Sequence, residues 1–214
     1  MINVNKVQSS EKWLKIAVTI GSLLPLALLI WAYLRGGLGF NPVETVLQRT
    51  GQTAVILLLL SLTCTPIHNL FKLPSIRRLR KSLGLFAALY ASLHFAAFAI
   101  WDYGMNLRLI WMEIREKPFI LLGLVALIIL LALAATSLRT LRRKLGKAWV
   151  WLHRLVYLAG ALVILHYLLA VKGDLFSLQG EYTVPLLAAG VLTLLFLLRL
   201  PAIYRPLRRL FGRD

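Results

Sequence analysis

Six stretches of the chain are almost continuously apolar, and short polar connectors separate them. They run from about Trp13 to Leu34, Gln52 to His68, Leu83 to Tyr103, Phe119 to Ala135, Ala148 to Val171 and Tyr182 to Leu200. An apolar run of about 20 residues is long enough to cross a bilayer as a helix, which satisfies its backbone polar groups internally. Pro25 interrupts the first run, which a membrane helix tolerates when a neighbour pairs with the freed carbonyl. The pattern predicts an all-α integral membrane protein, a six-transmembrane-helix bundle in which residues 1–214 form a single domain. No connector has room for a second domain, and no internal repeat stands out. The first run exceeds a signal-peptide core and lacks a small-residue cleavage pattern, so it reads as a retained span.

Composition agrees. Hydrophobic residues make up 59% of the chain and charged residues only 15%, against about 45–50% and about 25% in soluble domains. That apolar content excludes disorder. The 25 Lys and Arg outnumber the 8 Asp and Glu, for a net charge of +17. Along the chain they alternate by side. Arg77, Arg78, Arg80 and Lys81 follow the second run, Arg139 to Lys147 follow the fourth, and Arg205, Arg208, Arg209 and Arg213 follow the sixth. The other side holds Arg35, Arg49, Arg108, Arg115, Lys117 and Lys172, together with most of the acids (Glu44, Asp102, Glu113, Glu116, Asp174 and Glu181). Basic loops face the cytoplasm, so both termini are expected there. The basic excess then meets anionic membrane lipid, and no nucleic-acid partner is implied. Trp13, Trp31, Tyr33, Trp101, Tyr103, Trp149, Tyr167 and Tyr182 sit near run ends, as an interfacial aromatic belt requires.

Cys64 is the only cysteine, which excludes an internal disulfide and any multi-cysteine zinc or iron–sulfur site. All four histidines, His68, His94, His153 and His166, lie in or at the edge of the apolar runs. Polar groups there are costly and tend to be functional. No acid lies among them in the apolar core, which leaves a proton relay or a hydrolytic triad poorly supplied. Two imidazoles on different helices can instead hold a heme as a b-type electron carrier. Counted from the basic side, His94 lies roughly 16 Å deep and His166 roughly 24 Å, at about 1.5 Å per residue. Helix tilt absorbs a mismatch of about 8 Å, so His94 and His166 are the expected pair. His153 sits nearer the basic surface, where the third run offers only Arg80 and Lys81. It could serve a second heme from one side or position a quinone carbonyl. His68 matches it in depth and reads either as its partner or as an interfacial histidine. Arg154, Arg78 and Arg80 share that surface and could bind heme propionates or a flavin phosphate. Gly84 and Gly123 permit close helix approach, whereas Gly51 reads as the start of the second span. The chain has neither GxGxxG nor a Walker A pattern, so electrons must come from a separate donor.

Particular segments carry a family resemblance. Leu83-Gly84-Leu85-Phe86 with Tyr90 and His94 resembles the third-helix motif of the ferric-reductase-like transmembrane proteins. Leu145-Gly146-Lys147-Ala148-Trp149-Val150-Trp151-Leu152-His153-Arg154-Leu155-Val156-Tyr157, followed by His166, resembles their fifth-helix motif. Thr63-Cys64-Thr65-Pro66, Pro118 and Thr136-Ser137 resemble one subgroup, the MsrQ-type (formerly YedZ) heme-binding subunits of bacterial periplasmic methionine sulfoxide reductase systems. The resemblance implies a multi-pass protein of the bacterial inner membrane that binds one or two b hemes, with FMN also associated. It implies electrons from the quinone pool or a cytosolic flavin reductase, and delivery to MsrP, a periplasmic molybdopterin subunit that performs the catalysis. It puts metal ligands at His94, His166 and His153. The wider superfamily has a second histidine on the third helix, which this chain lacks. A heme relay to another acceptor such as ferric iron, or a cofactor-free structural subunit, are the alternatives.

Overall fold

The computed structural model describes residues 4–171 and 180–211, with side chains described for 12–171 and 180–209. Lys172, Asp174 and Arg213, used above to read orientation, lie outside the described residues. Among the described residues nine α-helices follow one another: α1 (Val4–Leu34), α2 (Pro42–Phe71), α3 (Pro74–Ala97), α4 (Leu107–Glu116), α5 (Pro118–Ala135), α6 (Arg139–Leu145), α7 (Lys147–Ala170), α8 (Thr183–Leu197) and α9 (Pro201–Phe211). A π-helical turn, Phe98–Asp102, extends α3. Among the described residues there is no strand.

Five helices, α1, α2, α3, α5 and α7, are long and apolar enough to cross a membrane. The sixth expected span is divided. Helix α8 has 15 residues, and the chain then bends by 78° into α9. The connectors are also more ordered than their polarity suggests. Helices α4 and α9 are short and amphipathic, with apolar and charged residues on separate faces. Proline sets several starts: Pro42, Pro74 and Pro118 open α2, α3 and α5, where the missing N–H costs nothing and φ is preset. Asn41 caps α2 by accepting the Glu44 N–H at 3.1 Å. Helix α2 therefore begins about one helical segment earlier than the sequence suggested, and Gly51 lies inside it rather than at its start.

The core is built where α2 packs along α3 and α5 along α7, with α8 against α2 and α7. Leu62, Ala87, Tyr90, Ala159 and Leu192 are buried there, and so is the free thiol of Cys64. Several hydroxyls inside the helices are paired to their own backbones, as where Thr50 donates to Val46 and Thr63 to Leu59, whereas Ser61 of α2 donates across to the Arg80 carbonyl of α3.

Two prolines open a backbone ladder, and a side chain from another element fills each gap. Near Pro25, the Tyr90 hydroxyl sits in the α1 ladder. It donates to the Ser22 carbonyl at 2.7 Å and accepts the Leu26 N–H at 3.0 Å, two groups that would otherwise pair with each other. At Pro66, which has no N–H, the Leu62 carbonyl one turn earlier loses its partner. Arg199 supplies one: its Nη2 donates to Leu62 at 2.6 Å, while its guanidinium lies 5.0 Å from the Tyr157 ring centre. A phenol and a guanidinium thus tie α1 to α3 and α8 to α2. Removing the hydroxyl in Tyr90→Phe leaves the Ser22 carbonyl and the Leu26 N–H, spread apart by the phenol, unpaired until the helix closes on itself, at a cost of up to about 1–3 kcal/mol. The variant should unfold at lower temperature in detergent, and the Leu26 amide should exchange faster than in the wild type. Unchanged exchange at Leu26 would show that the wedge bears no stability.

Candidate functional site

His94 and His166, on α3 and α7, come together inside the bundle. Their ring centres are 6.0 Å apart and the ring planes are nearly perpendicular, at 85°. The two histidines are held in the same way. His94 Nδ1 lies 2.9 Å from the Leu47 carbonyl of α2, and His166 Nδ1 lies 2.7 Å from the Phe119 carbonyl of α5. A carbonyl only accepts, so each Nδ1 must carry the proton and donate. Each Nε2 is left with its lone pair.

Glycine makes both contacts geometrically possible. A Cβ on Gly51 would lie 3.1 Å from His94 Nδ1, and one on Gly123 would lie 2.8 Å from His166 Nδ1. In each helix the glycine follows the accepting carbonyl by one turn, and its bare backbone lets an imidazole lie close enough to reach that carbonyl. Gly123 was expected to admit a neighbouring helix and Gly51 to begin one; both instead receive a histidine ring. Gly84 is the ordinary case, with Ser61 Oγ at 3.4 Å from its would-be Cβ.

The arrangement is a repeat. Each histidine follows its carbonyl by 47 residues, so α2–α3 and α5–α7 present the same carbonyl, glycine and histidine in the same order. The sequence offers this as a matched spacing, but the residues between differ, which is why no repeat was evident. Lys81 occupies the place in the first half that His153 occupies in the second. The lower half of the device is therefore asymmetric.

His153 is half-buried and turned to its own helix. Its Nδ1 lies 3.1 Å from the Trp149 carbonyl, and its ring stacks on Trp149 at 4.0 Å. Trp149 donates from Nε1 to the Thr136 carbonyl at 3.0 Å, and Arg142 lies 4.6 Å from the Trp149 ring centre. The structure puts no second histidine against His153 among the contacts described. His68 is half-buried near the end of α2, with a buried Nδ1 lacking a hydrogen bond. Arg154 is exposed and lies over Trp151 at 4.4 Å, and Arg78 is also exposed. Arg80 reaches Thr65 at 3.3 Å, and Lys81 donates to the Ser137 carbonyl at 2.8 Å. These contacts gather the start of α3, the end of α5 and the start of α7 with the basic helix α6 at one end of the bundle.

The spacing of the two imidazoles would let His94 and His166 hold one metal ion between them. Two metal–nitrogen bonds of about 2 Å each, plus about 1 Å from each nitrogen to its ring centre, require centres about 6 Å apart. The observed 6.0 Å meets that requirement. Each imidazole is also fixed by a backbone carbonyl, the outer-shell arrangement that orients metal-binding histidines. Among the described residues, no three His, Cys, Asp or Glu side chains cluster as a bare-metal site would need. Two ligands suffice for heme, whose macrocycle fills the remaining positions. Fold and site thus define a multi-pass membrane protein with a histidine pair suited to heme.

The chain belongs to the family of ferric reductase like transmembrane components, which matches residues 50–164. That stretch runs from the turn containing Gly51 through His94, Gly123 and His153 and ends just before His166. Members of this family bind heme and carry electrons in membranes.

Filling the glycine cradles should expose their role. Gly123→Ala forces His166 off its carbonyl and costs about 1–3 kcal/mol, the usual range for overpacking. Gly51→Ala, with a looser contact, should cost less. Gly190→Ala meets nothing within 4 Å and should be neutral or stabilising by about 0.5–1 kcal/mol. Thermal unfolding of the three variants in one detergent checks the order, and equal effects would remove the cradle argument.

Proposed function

We propose that the chain is a membrane b-type cytochrome that moves electrons across the bacterial inner membrane, with heme ligated by His94 and His166. The observation that carries this is the 6.0 Å histidine pair with both Nδ1 groups held by backbone carbonyls. Heme, when bound there, supplies a one-electron couple inside the apolar bundle. The protein supplies the rest. The Leu47 and Phe119 carbonyls fix the ring planes and hold both Nδ1 protons. Gly51 and Gly123 leave room for the rings. The apolar helices keep water from the pair.

In the finer reading the chain serves as the MsrQ-type subunit of a methionine sulfoxide reductase system. Both termini lie in the cytoplasm and the basic end faces anionic lipid. Electrons enter there from a quinol of the respiratory pool or a cytosolic flavin reductase. They leave at the opposite end to a periplasmic molybdopterin subunit, which reduces methionine sulfoxide in oxidised proteins. The support is the resemblance of the Thr63-Cys64-Thr65-Pro66 and Trp149-to-Tyr157 segments, together with the basic residues gathered at one end. FMN belongs to the same reading, though Arg78 and Arg154 are exposed and do not converge on the histidine pair.

The test is a reduced-minus-oxidised visible spectrum with heme quantified per protein, in mild detergent. Wild type should show a b-type spectrum that is lost in His94→Ala and in His166→Ala. His68→Ala should retain it. Partial loss in His153→Ala would place a second heme at the basic end. Reoxidation of the reduced protein by a periplasmic molybdopterin methionine sulfoxide reductase, against a ferric chelate, separates the two acceptors. Well-folded wild type without heme, after expression with ample heme supply, would overturn the cytochrome reading.

A further inference from the structure

We propose that Glu113 is a positioning residue for the histidine pair: its carboxylate clasps the segment after His94 to the segment that supports His166. The proposal rests on the reading of these histidines as heme ligands.

One side of the clasp begins at α3. Beyond His94 the helix widens into the π turn Phe98–Asp102, and the chain reverses at Gly104 and Met105, both with positive φ, 55° and 60°. The turn is closed by Met105 N–H to the Ala99 carbonyl at 2.7 Å and Gly104 N–H to the Ile100 carbonyl at 3.0 Å. A methionine in the left-handed region is uncommon and needs surroundings that hold it. Tyr103 lies at the same turn. Its ring packs 4.8 Å from Phe98, which packs 6.2 Å from Phe95, the residue after His94. The Tyr103 hydroxyl lies within interaction range of the Glu113 carboxylate.

The other side leads to His166. Glu113 pairs with Lys117 Nζ at 2.5 Å, and the Lys117 N–H donates to the Glu113 carbonyl at 2.9 Å. Lys117 is extended and immediately precedes Pro118, the first residue of α5. Two residues on, Phe119 gives its carbonyl to His166 and its ring lies 5.9 Å from the imidazole. One carboxylate therefore faces both Tyr103 and Lys117, and through them the turn that follows His94 and the residue that precedes α5.

The electrostatics match the geometry. The ammonium of Lys117 holds the Glu113 carboxyl below the usual range against some desolvation, and the Tyr103 hydroxyl adds to this. Glu113 raises Lys117 in return. The Glu113 side chain is 22% exposed, so the pair is partly shielded from water. Glu116, on the same helix, is exposed and carries the same charge, which makes it the control.

The experiment uses the full-length, heme-loaded protein in mild detergent. It measures the heme midpoint potential and the rate of heme transfer to an acceptor apoprotein. Glu113→Gln should shift the potential and speed heme release about tenfold, the lower end of the effect of losing an outer-shell partner. Tyr103→Phe should move both in the same direction by less, and Glu113→Asp should restore part of the loss. Glu116→Gln should leave both at wild-type values. A Glu113→Gln protein indistinguishable from Glu116→Gln overturns the proposal. If Glu113→Gln does not fold, Tyr103→Phe and Lys117→Gln break the two halves separately, and wild-type behaviour in both overturns it equally. Wild type that binds no heme ends the cytochrome reading and this one with it, and that result appears before any substitution is made.

Discussion

Within a bilayer a backbone carbonyl that loses its helical partner has no water to turn to. That constraint organises this protein. Pro25 and Pro66 disturb two helices, and the Tyr90 hydroxyl and the Arg199 guanidinium answer them. Each answering side chain comes from another helix or its end, so satisfying the backbone also fixes how the helices dock. Arg199 is costly to keep in an apolar setting, and it offsets that cost by donating to the Leu62 and Leu195 carbonyls and lying over Tyr157.

The histidine pair uses the same chemistry for a different end. His94 and His166 donate to carbonyls of neighbouring helices that need no rescue, because Gly51 and Gly123 let the imidazoles reach in beside an intact ladder. The hydrogen bond spends one nitrogen of each ring and reserves the other. The device occurs twice with the same spacing, so the two imidazoles approach each other from two similar helix pairs.

At the basic end the duplication breaks. His153 faces Trp149 and Arg142 rather than a second histidine, and Lys81 holds the Ser137 carbonyl from the matching position of the first half. Arg142, Trp149 and His153 form a stack of one cation over two rings, with cation–π attraction at its outer member. The end of the bundle that gathers the positive charge is thus built in part from side chains that hold its connections together.

Much of this was legible beforehand. Hydropathy alone located five spans, although α2 and α3 begin well before their apolar runs, at Pro42 and Pro74. Depth counting paired His94 with His166 across an 8 Å mismatch, because rise per residue is fixed in a helix. Other features were beyond its reach. The start of α2 at Pro42 lay in a polar stretch, where the Asn41 cap and the proline outweigh hydropathy. The bend after α8 and the amphipathic α4 and α9 depend on what each face meets. The glycines gave no sign of their partners, since a missing Cβ matters only when a ring lies 3 Å away, and only the packed helices put one there. The sequence by itself determined the membrane-spanning class, the charge asymmetry and the identity of the histidines, because these follow from local composition and helix geometry. Tertiary structure alone decided which carbonyl each imidazole uses, and so which nitrogen each keeps free, because that depends on contacts between residues 47 apart in the chain.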